Sequence, residues 1–285
     1  MRCLSLAIIA GVSTIAFTQL ASAADLPRKA PPAPPPAPVF SWTGFYAGGN
    51  VGVAWSRSNV NYAPNDPLSA EIFFNAPFFA PPPSASVRDS SLIGGLQLGY
   101  NWQFAPAWLI GAEADFDWSG LKGSAATSGP FFPPSTFTNS VEQRVEWFGT
   151  VRGRLGYLPL PNLMAFVTGG FAFGRIEQSA TYTTVATVTG FNAPFFAFCI
   201  GGGGPCYAGS SKGTEIGWTI GGGIEYALWQ NWTIRGEYLH VSLGSKSVTE
   251  TAVSVAAGTI PSSFNANFGR TNLDIARFAL NYQFH

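Results

Sequence analysis

Beyond residue 44, apolar and polar residues alternate with a period of two in segments of ten or more residues, separated by Gly, Pro, Ser and Asn. This is the pattern of β-strands with two unlike faces. Eight strands are predicted, over residues 45–55, 92–104, 108–118, 141–157, 163–175, 214–228, 232–243 and 273–284. In the first, Phe45, Ala47, Val51, Val53 and Trp55 share a face opposite Tyr46, Gly48, Asn50 and Gly52. In the second, Leu92, Leu96, Leu98, Tyr100, Trp102 and Phe104 lie opposite Gln97, Asn101 and Gln103. The third is the clearest: Trp108, Ile110, Ala112, Ala114, Phe116 and Trp118 oppose Glu113, Asp115 and Asp117. The fourth sets Val145, Trp147, Val151, Leu155 and Tyr157 against Glu142, Arg144, Glu146, Arg152 and Arg154. The eighth sets Phe278, Leu280, Tyr282 and Phe284 against Arg277, Asn281 and Gln283.

The connections alternate in length. Residues 105–107, 158–162 and 230–231 are short turns, whereas 56–91, 119–140, 176–213 and 244–272 are long. An outer-membrane barrel has tight periplasmic turns and extended external loops, and a soluble sandwich gives no reason for such regularity. Phe45 to Trp55, Trp108 to Trp118, Trp147 to Tyr157 and Trp218 to Leu228 each span ten residues on the apolar face. Ten residues at about 3.3 Å, tilted by about 40°, rise roughly 25 Å, the height of a barrel's apolar band. Trp42, Trp102, Trp108, Trp229 and Trp232 fall near the short-turn end, and Trp55, Trp118, Trp147 and Trp218 near the long-loop end. They read as two aromatic girdles. The alternation weakens after Tyr238 and before Ala276, which bulges or exit from the bilayer would explain. The sequence therefore predicts an all-β, eight-stranded antiparallel up-and-down transmembrane barrel over residues 41–285.

Composition narrows the function. Only 11% of the 285 residues are charged, and Lys+Arg and Asp+Glu balance at 15 each. A nucleic-acid binder would need a basic surplus, so no nucleic-acid partner is expected. Beyond Leu20 there is no apolar run long enough for a membrane helix. Residues 1–23 have a basic start, an apolar stretch and the small-x-small end Ala21-Ser22-Ala23 of a cleaved signal peptide. Residues 24–40 carry seven prolines between Pro27 and Pro38 and read as an extended periplasmic linker. Of the three cysteines, Cys199 and Cys206 bracket a run of four glycines, and in an exported chain they are expected to form a loop disulfide. No cofactor site, metal site or catalytic centre is expected.

The polar face, placed inside a barrel, gathers Glu113, Asp115, Asp117, Glu142, Glu146, Glu215, Glu225 and Glu237 with Arg144, Arg152, Arg154, Arg235 and Arg277. Eight strands enclose little more than their own side chains, so these charges must pair. One reading is a locked plug that fixes register. The other is a narrow polar path for small solutes, its acidic excess favouring cations.

Two rival functions rest on other residues. His240 and Ser242 share a strand face and Glu250 follows, a base and a nucleophile two residues apart. The stretch is similar to the His-x-Ser-Asn of outer-membrane lipid A deacylases, with Leu243 in place of the Asn. The long loops repeat Asn-Ala-Pro-Phe-Phe-Ala at 75–80 and 192–197, so Phe78, Phe79, Phe195 and Phe196, with Phe131 and Phe132 between them, are candidate contact residues for a host or surface ligand.

The segments Ala24-Asp25-Leu26-Pro27, Trp42-Thr43-Gly44-Phe45-Tyr46-Ala47-Gly48-Gly49-Asn50-Val51-Gly52, Gly94-Gly95-Leu96-Gln97-Leu98-Gly99-Tyr100-Asn101-Trp102, Arg235-Gly236-Glu237-Tyr238-Leu239 and the closing 277–284 resemble small outer-membrane β-barrel proteins of alphaproteobacteria. Those are often described as porin-family or outer-membrane immunogenic proteins. The resemblance implies an OmpA-like barrel of the cell outer membrane, surface-exposed, with a structural or porin-like role and no catalytic residues. Its expected partners are the barrel-assembly machinery, outer-membrane lipid and lipopolysaccharide.

Overall fold

A computed structural model describes residues 40–75, 81–130, 136–185, 205–253 and 262–284. The signal and linker residues 1–39, the phenylalanine pairs of the loops and Cys199 lie outside them. The described elements are β1 (Gly44–Pro64), α1 (Pro67–Asn75), β2 (Ser84–Ala105), β3 (Trp108–Pro130), β4 (Thr136–Leu160), β5 (Leu163–Val185), β6 (Pro205–Ala227), β7 (Trp232–Leu243), β8 (Lys246–Ala252), β9 (Ser263–Phe268) and β10 (Thr271–Phe284). The ten strands form one antiparallel sheet, and β10 closes onto β1 to give a ring of eight: β1 to β7 in order, then β10.

The count of ten, where eight were expected, has a local cause. Gly244–Ser245 and Gly269–Arg270 leave the ladder at the same level, while the register runs on: Leu243 faces Thr271 and Lys246 faces Phe268. Above this break β8 pairs with β6 and β9 with β1, taking the places of β7 and β10. The strands also run well beyond the expected boundaries. β1 to β6 are 21 to 25 residues long, about twice what a tilted strand needs to cross a bilayer. Much of what reads as long loop is therefore strand, hidden in the sequence because its outward face is Ser, Thr and Asn and lacks the apolar half of the alternation.

The exposed side chains mark the lipid band. Phe45, Val51, Leu92, Leu96, Leu98, Ile110, Val151, Phe171, Ile216, Ile220, Ile224, Phe278 and Leu280 point outward in the expected phase. Trp102, Trp108, Tyr157, Trp229 and Trp232 are exposed at the short-turn end, and Trp55, Trp118 and Trp218 at the other. Trp147 is half-buried beside Phe116. Trp42 is a correction: it is 1% exposed, points inward and donates from Nε1 to the Pro161 carbonyl oxygen at 2.9 Å. It closes the short-turn end with Leu109, Leu158, Met164, Phe166 and Ala227.

β4 carries a second correction. The register shifts at Glu146, which is bulged out between Val145–Ile176 and Trp147–Arg175. One extra residue reverses the inward phase, from Val141, Gln143 and Val145 before the bulge to Phe148, Thr150, Arg152 and Arg154 after it. Glu142, Arg144 and Glu146 are thus outside the lumen.

Candidate functional site

The barrel interior is filled in layers. Above the Trp42 cluster, at bilayer level, lie five carboxylates and four arginines, all essentially buried: Glu113, Asp115, Asp117, Glu225 and Glu237 with Arg152, Arg154, Arg235 and Arg277. Their positions follow from the strand alternation, which places every second residue of β3, β4, β6, β7 and β10 inside. Arg152 bonds Glu113, Asp115 at 2.8 Å and Glu237 at 2.5 Å. Arg277 reaches Asp115 at 2.8 Å and both Asp117 and Glu237 at 2.9 Å. Arg235 joins Glu113 at 2.5 Å and Glu225 at 3.1 Å, and Arg154 bonds Glu225. Neutral groups add to the network. Thr150 donates to Asp115 at 2.9 Å, Thr233 to Glu225 at 2.5 Å and Asn281 to Glu225 at 3.0 Å.

Tyr46 donates to Glu113. Its ring lies against Gly99, where a Cβ would sit 2.4 Å from the ring's Cζ and hydroxyl oxygen. Only glycine on β2 leaves this path across the lumen open to the phenol.

The geometry of these pairs decides what the lumen can do. β3 and β7 stand third and seventh in a ring of eight, on opposite walls. Glu113 of β3 is nevertheless bonded to Arg235 of β7, and Arg152 of β4 to Glu237 of β7. The side chains therefore meet across the centre. An apolar layer sits directly above them: Ala54, Ile93, Leu121, Val145, Phe148, Ala172, Ile176, Leu239, Val241, Leu243, Leu273 and Ile275. This layer explains the weak alternation in β7 and β10. The period of two is intact there, but the inward residues change from Arg and Glu to Leu, Val and Ile.

Beyond the apolar layer, outside the girdle, a third cluster contains Val60, Tyr62, Val87, Val141, Ala180, Tyr182, Tyr207, Val248, Phe264, Ala266 and Phe268. Here the outward residues are polar, such as Asn59, Asn61, Ser84 and Ser86. The ladder between β2 and β3 ends at Ile93–Ser119, and beyond it the Asp89 carboxylate accepts from the Lys122 backbone N–H at 2.5 Å. Glu250 of β8 points into it, 0% exposed, with neither carboxylate oxygen hydrogen-bonded. Burial pushes its carboxyl up to about 8. Burial likewise raises Tyr62 and Tyr182, and raises Tyr207 to about 12. Asp66 caps α1, accepting from the Ser69 backbone N–H at 2.8 Å, and accepts from the Ser263 hydroxyl at 3.0 Å. It thereby ties the helix to β9.

The remaining candidates are dispersed. Glu215 faces inward only at the rim, where Lys246 pairs with it at 3.5 Å. His240 faces outward, its Nδ1 2.8 Å from Asp274 and its ring against Trp218. Ser242 is also on the outward side, whereas the break at Gly244–Ser245 turns Glu250 inward. The three residues do not form a catalytic constellation. Cys206 is disulfide-bonded, and its expected partner Cys199 lies outside the described residues. Among the described residues no group of His, Cys, Asp and Glu could hold a metal ion. Sequence reasoning did not find Glu250's burial in the outer section, because the phase change at Gly244–Ser245 leaves no trace in composition.

The family model described as outer membrane protein beta-barrel domain matches residues 30–284. The chain belongs to this family. The outer membrane β-barrel protein is 34% identical over 279 residues to the 31 kDa outer-membrane immunogenic protein of Brucella melitensis, covering 97% of this chain and 98% of the relative. It is 28% identical over 213 residues to the 22 kDa outer membrane protein of Rhizobium leguminosarum, covering 74% and 69% respectively. Among solved structures, the outer membrane protein OprG of Pseudomonas aeruginosa overlaps 87% of this chain and all of its own, at 11% identity and a TM-score of 0.41. The expected location in the outer membrane and the alphaproteobacterial family resemblance are both borne out.

Proposed function

We propose that this protein is a closed structural barrel of the outer membrane: it anchors a surface-exposed β-section in the envelope and passes no solute. The observation that carries this reading is the bonding of Arg235 to Glu113 on the opposite wall and of Arg152 to Glu237 three strands away, with apolar layers packed above and below. A conducting pore needs a continuous water-filled path lined by polar groups. The Leu239–Leu243–Leu273–Ile275 layer is apolar and its side chains are fully buried. Mobile ions would also have to break several charge-assisted bonds held in a low-dielectric space.

The long strands that project past the outer girdle support surface exposure, as does the description of the Brucella relative as immunogenic. Export by the 1–23 signal, a periplasmic spacer over 24–40 and insertion by the barrel-assembly machinery belong to the same reading. So does a disulfide between Cys199 and Cys206. Single-channel recording of the refolded chain in planar bilayers tests the claim. Electrical silence is expected at all voltages that the bilayer tolerates. Stable ohmic openings would overturn it in favour of a small-solute porin.

A further inference from the structure

The outward face just beyond the outer girdle is charged, and its two sides differ. On β3 to β6 both lysines and three acids are matched, although Arg144, across the ladder from Lys122, is in no ion pair among the described residues. Lys122 pairs with Glu142 at 4.0 Å, Arg175 with Glu146 at 3.2 Å, and Lys212 with Glu146 at 2.5 Å and with Glu177 at 3.6 Å. On the β1, β2 and β10 side the opposite holds. Arg57 of β1 stands directly across the ladder from Arg88 of β2, both exposed and two residues beyond the girdle residue Trp55. Arg270 joins them from the exposed break before β10. There Gly269 donates to the Asn59 carbonyl oxygen at 2.7 Å, and Asn272 pairs with Arg57. Among the described residues none of these three arginines takes part in an ion pair within 4 Å.

The nearby carboxylates have their hydrogen bonds elsewhere, and of these arginines Arg57 acts on Asp274 only through its charge. Asp274 is 2.8 Å from His240 Nδ1 and accepts from the Tyr238 hydroxyl at 2.9 Å, and Asp89 accepts from the Lys122 backbone N–H at 2.5 Å.

Like charges directly opposed across two strands repel one another, so this pair destabilises the ladder unless an anion lies between them. Guanidinium forks match phosphate oxygens two at a time. The location selects the anion's source. Trp55 and the neighbouring lipid band place the arginines at the depth of the outer-leaflet headgroups, with the apolar face of Leu92 and Val51 beneath for acyl chains.

We propose that Arg57, Arg88 and Arg270 form a binding site for the phosphorylated headgroup of lipopolysaccharide. The site takes a lipid-anchored phosphate from the side of the barrel. It thereby fastens the outer leaflet to a sector of the wall whose three arginines form no ion pair within 4 Å among the described residues.

The test uses the full refolded chain in detergent micelles, titrated with purified lipopolysaccharide and with the same material after enzymatic dephosphorylation. Tightness is read by microscale thermophoresis, and folding is checked by heat-modifiable migration on gels. Changing Arg57, Arg88 and Arg270 together to Gln should weaken binding roughly tenfold or more, and dephosphorylation should weaken the unchanged protein to a similar degree. The triple variant should then no longer distinguish the two lipids. Changing the matched Lys122 and Lys212 to Gln serves as control and should alter binding less than about threefold. If the triple variant fails to fold, Arg88→Gln alone carries the test, with a smaller loss expected. Equal binding of the two lipids by the unchanged protein would overturn the proposal. So would undiminished lipopolysaccharide binding by a folded arginine variant, or equal loss in the lysine control.

Discussion

At bilayer level the barrel wears its apolar residues outside and holds nine charged side chains within. A short distance above, the same strands present Asn, Ser and Thr outward and fill the interior with Tyr, Phe and Val. The inversion follows from the solvent on the outer face. Against lipid, an outward apolar residue is neutral company, and stability must come from hydrogen bonds and ion pairs made inside. Against water, burying apolar area again drives packing, so the outer section is built like an ordinary soluble β-core. The interior of each region complements whatever surrounds the wall. Two single residues stand apart from these rules: Trp42 and its neighbours cap the charged layer from below, and Glu250 puts an unpartnered carboxyl in the aromatic section.

The largest expected effect breaks the charged layer. Arg277→Leu removes the one ion-pair partner that Asp117 has among the described residues and leaves Asp115 and Glu237 with Arg152 alone, so the buried layer carries uncompensated negative charge. A loss of about 3–5 kcal/mol is expected in urea unfolding from lipid vesicles. A neutral result would mean that the carboxylates reach water.

The aromatic section should fail separately. Phe264 packs on Tyr62, Tyr182 and Tyr207, and Phe264→Ala is expected to cost about 3 kcal/mol locally. Hydrogen exchange should rise in β8, β9 and the outer half of β6, and stay unchanged in the lipid-facing half of β2. Uniform loss of protection would show that the two regions unfold as one.

A smaller effect comes from Glu250. In the unfolded chain it ionises near its ordinary value of 4.5, whereas the folded outer section keeps the proton up to about pH 8. Between these limits the folded state binds more protons, so its stability falls as pH rises and levels off above about 8. Glu250→Gln should flatten that slope and stabilise the outer section by about 1–3 kcal/mol at pH 8. An unchanged slope in the variant would assign the pH dependence to another group.

The alternation was legible wherever lipid and lumen impose opposite demands. Leu92 to Phe104 and Trp108 to Trp118 lie in the phase read from the sequence, and nine of the thirteen expected lumen charges meet in one network. The failures share a cause: a period of two carries no mark of a one-residue slip. Glu142, Arg144 and Glu146 look like lumen charges until the bulge at Glu146 reverses the strand. His240 and Glu250 look like neighbours until the break at Gly244–Ser245 turns them to opposite sides. The outer strands escaped for a different reason. Their outward residues are polar and their inward ones small or aromatic, which reads as loop when a membrane strand is the template. Trp42 was read as girdle because its position along the chain fits either side of the wall, and its burial and its bond to Pro161 place it inside.

The central claim is that charges from opposite walls are joined across the lumen, and a double-mutant cycle on Glu113 and Arg235 tests it most directly. Glu113→Gln, Arg235→Gln and the double variant would be unfolded in urea from the same vesicles. A coupling above about 1 kcal/mol is expected, with the double variant losing clearly less than the sum of the single losses. Additive losses would place the two side chains on separate walls with water between them, and the closed barrel would be wrong.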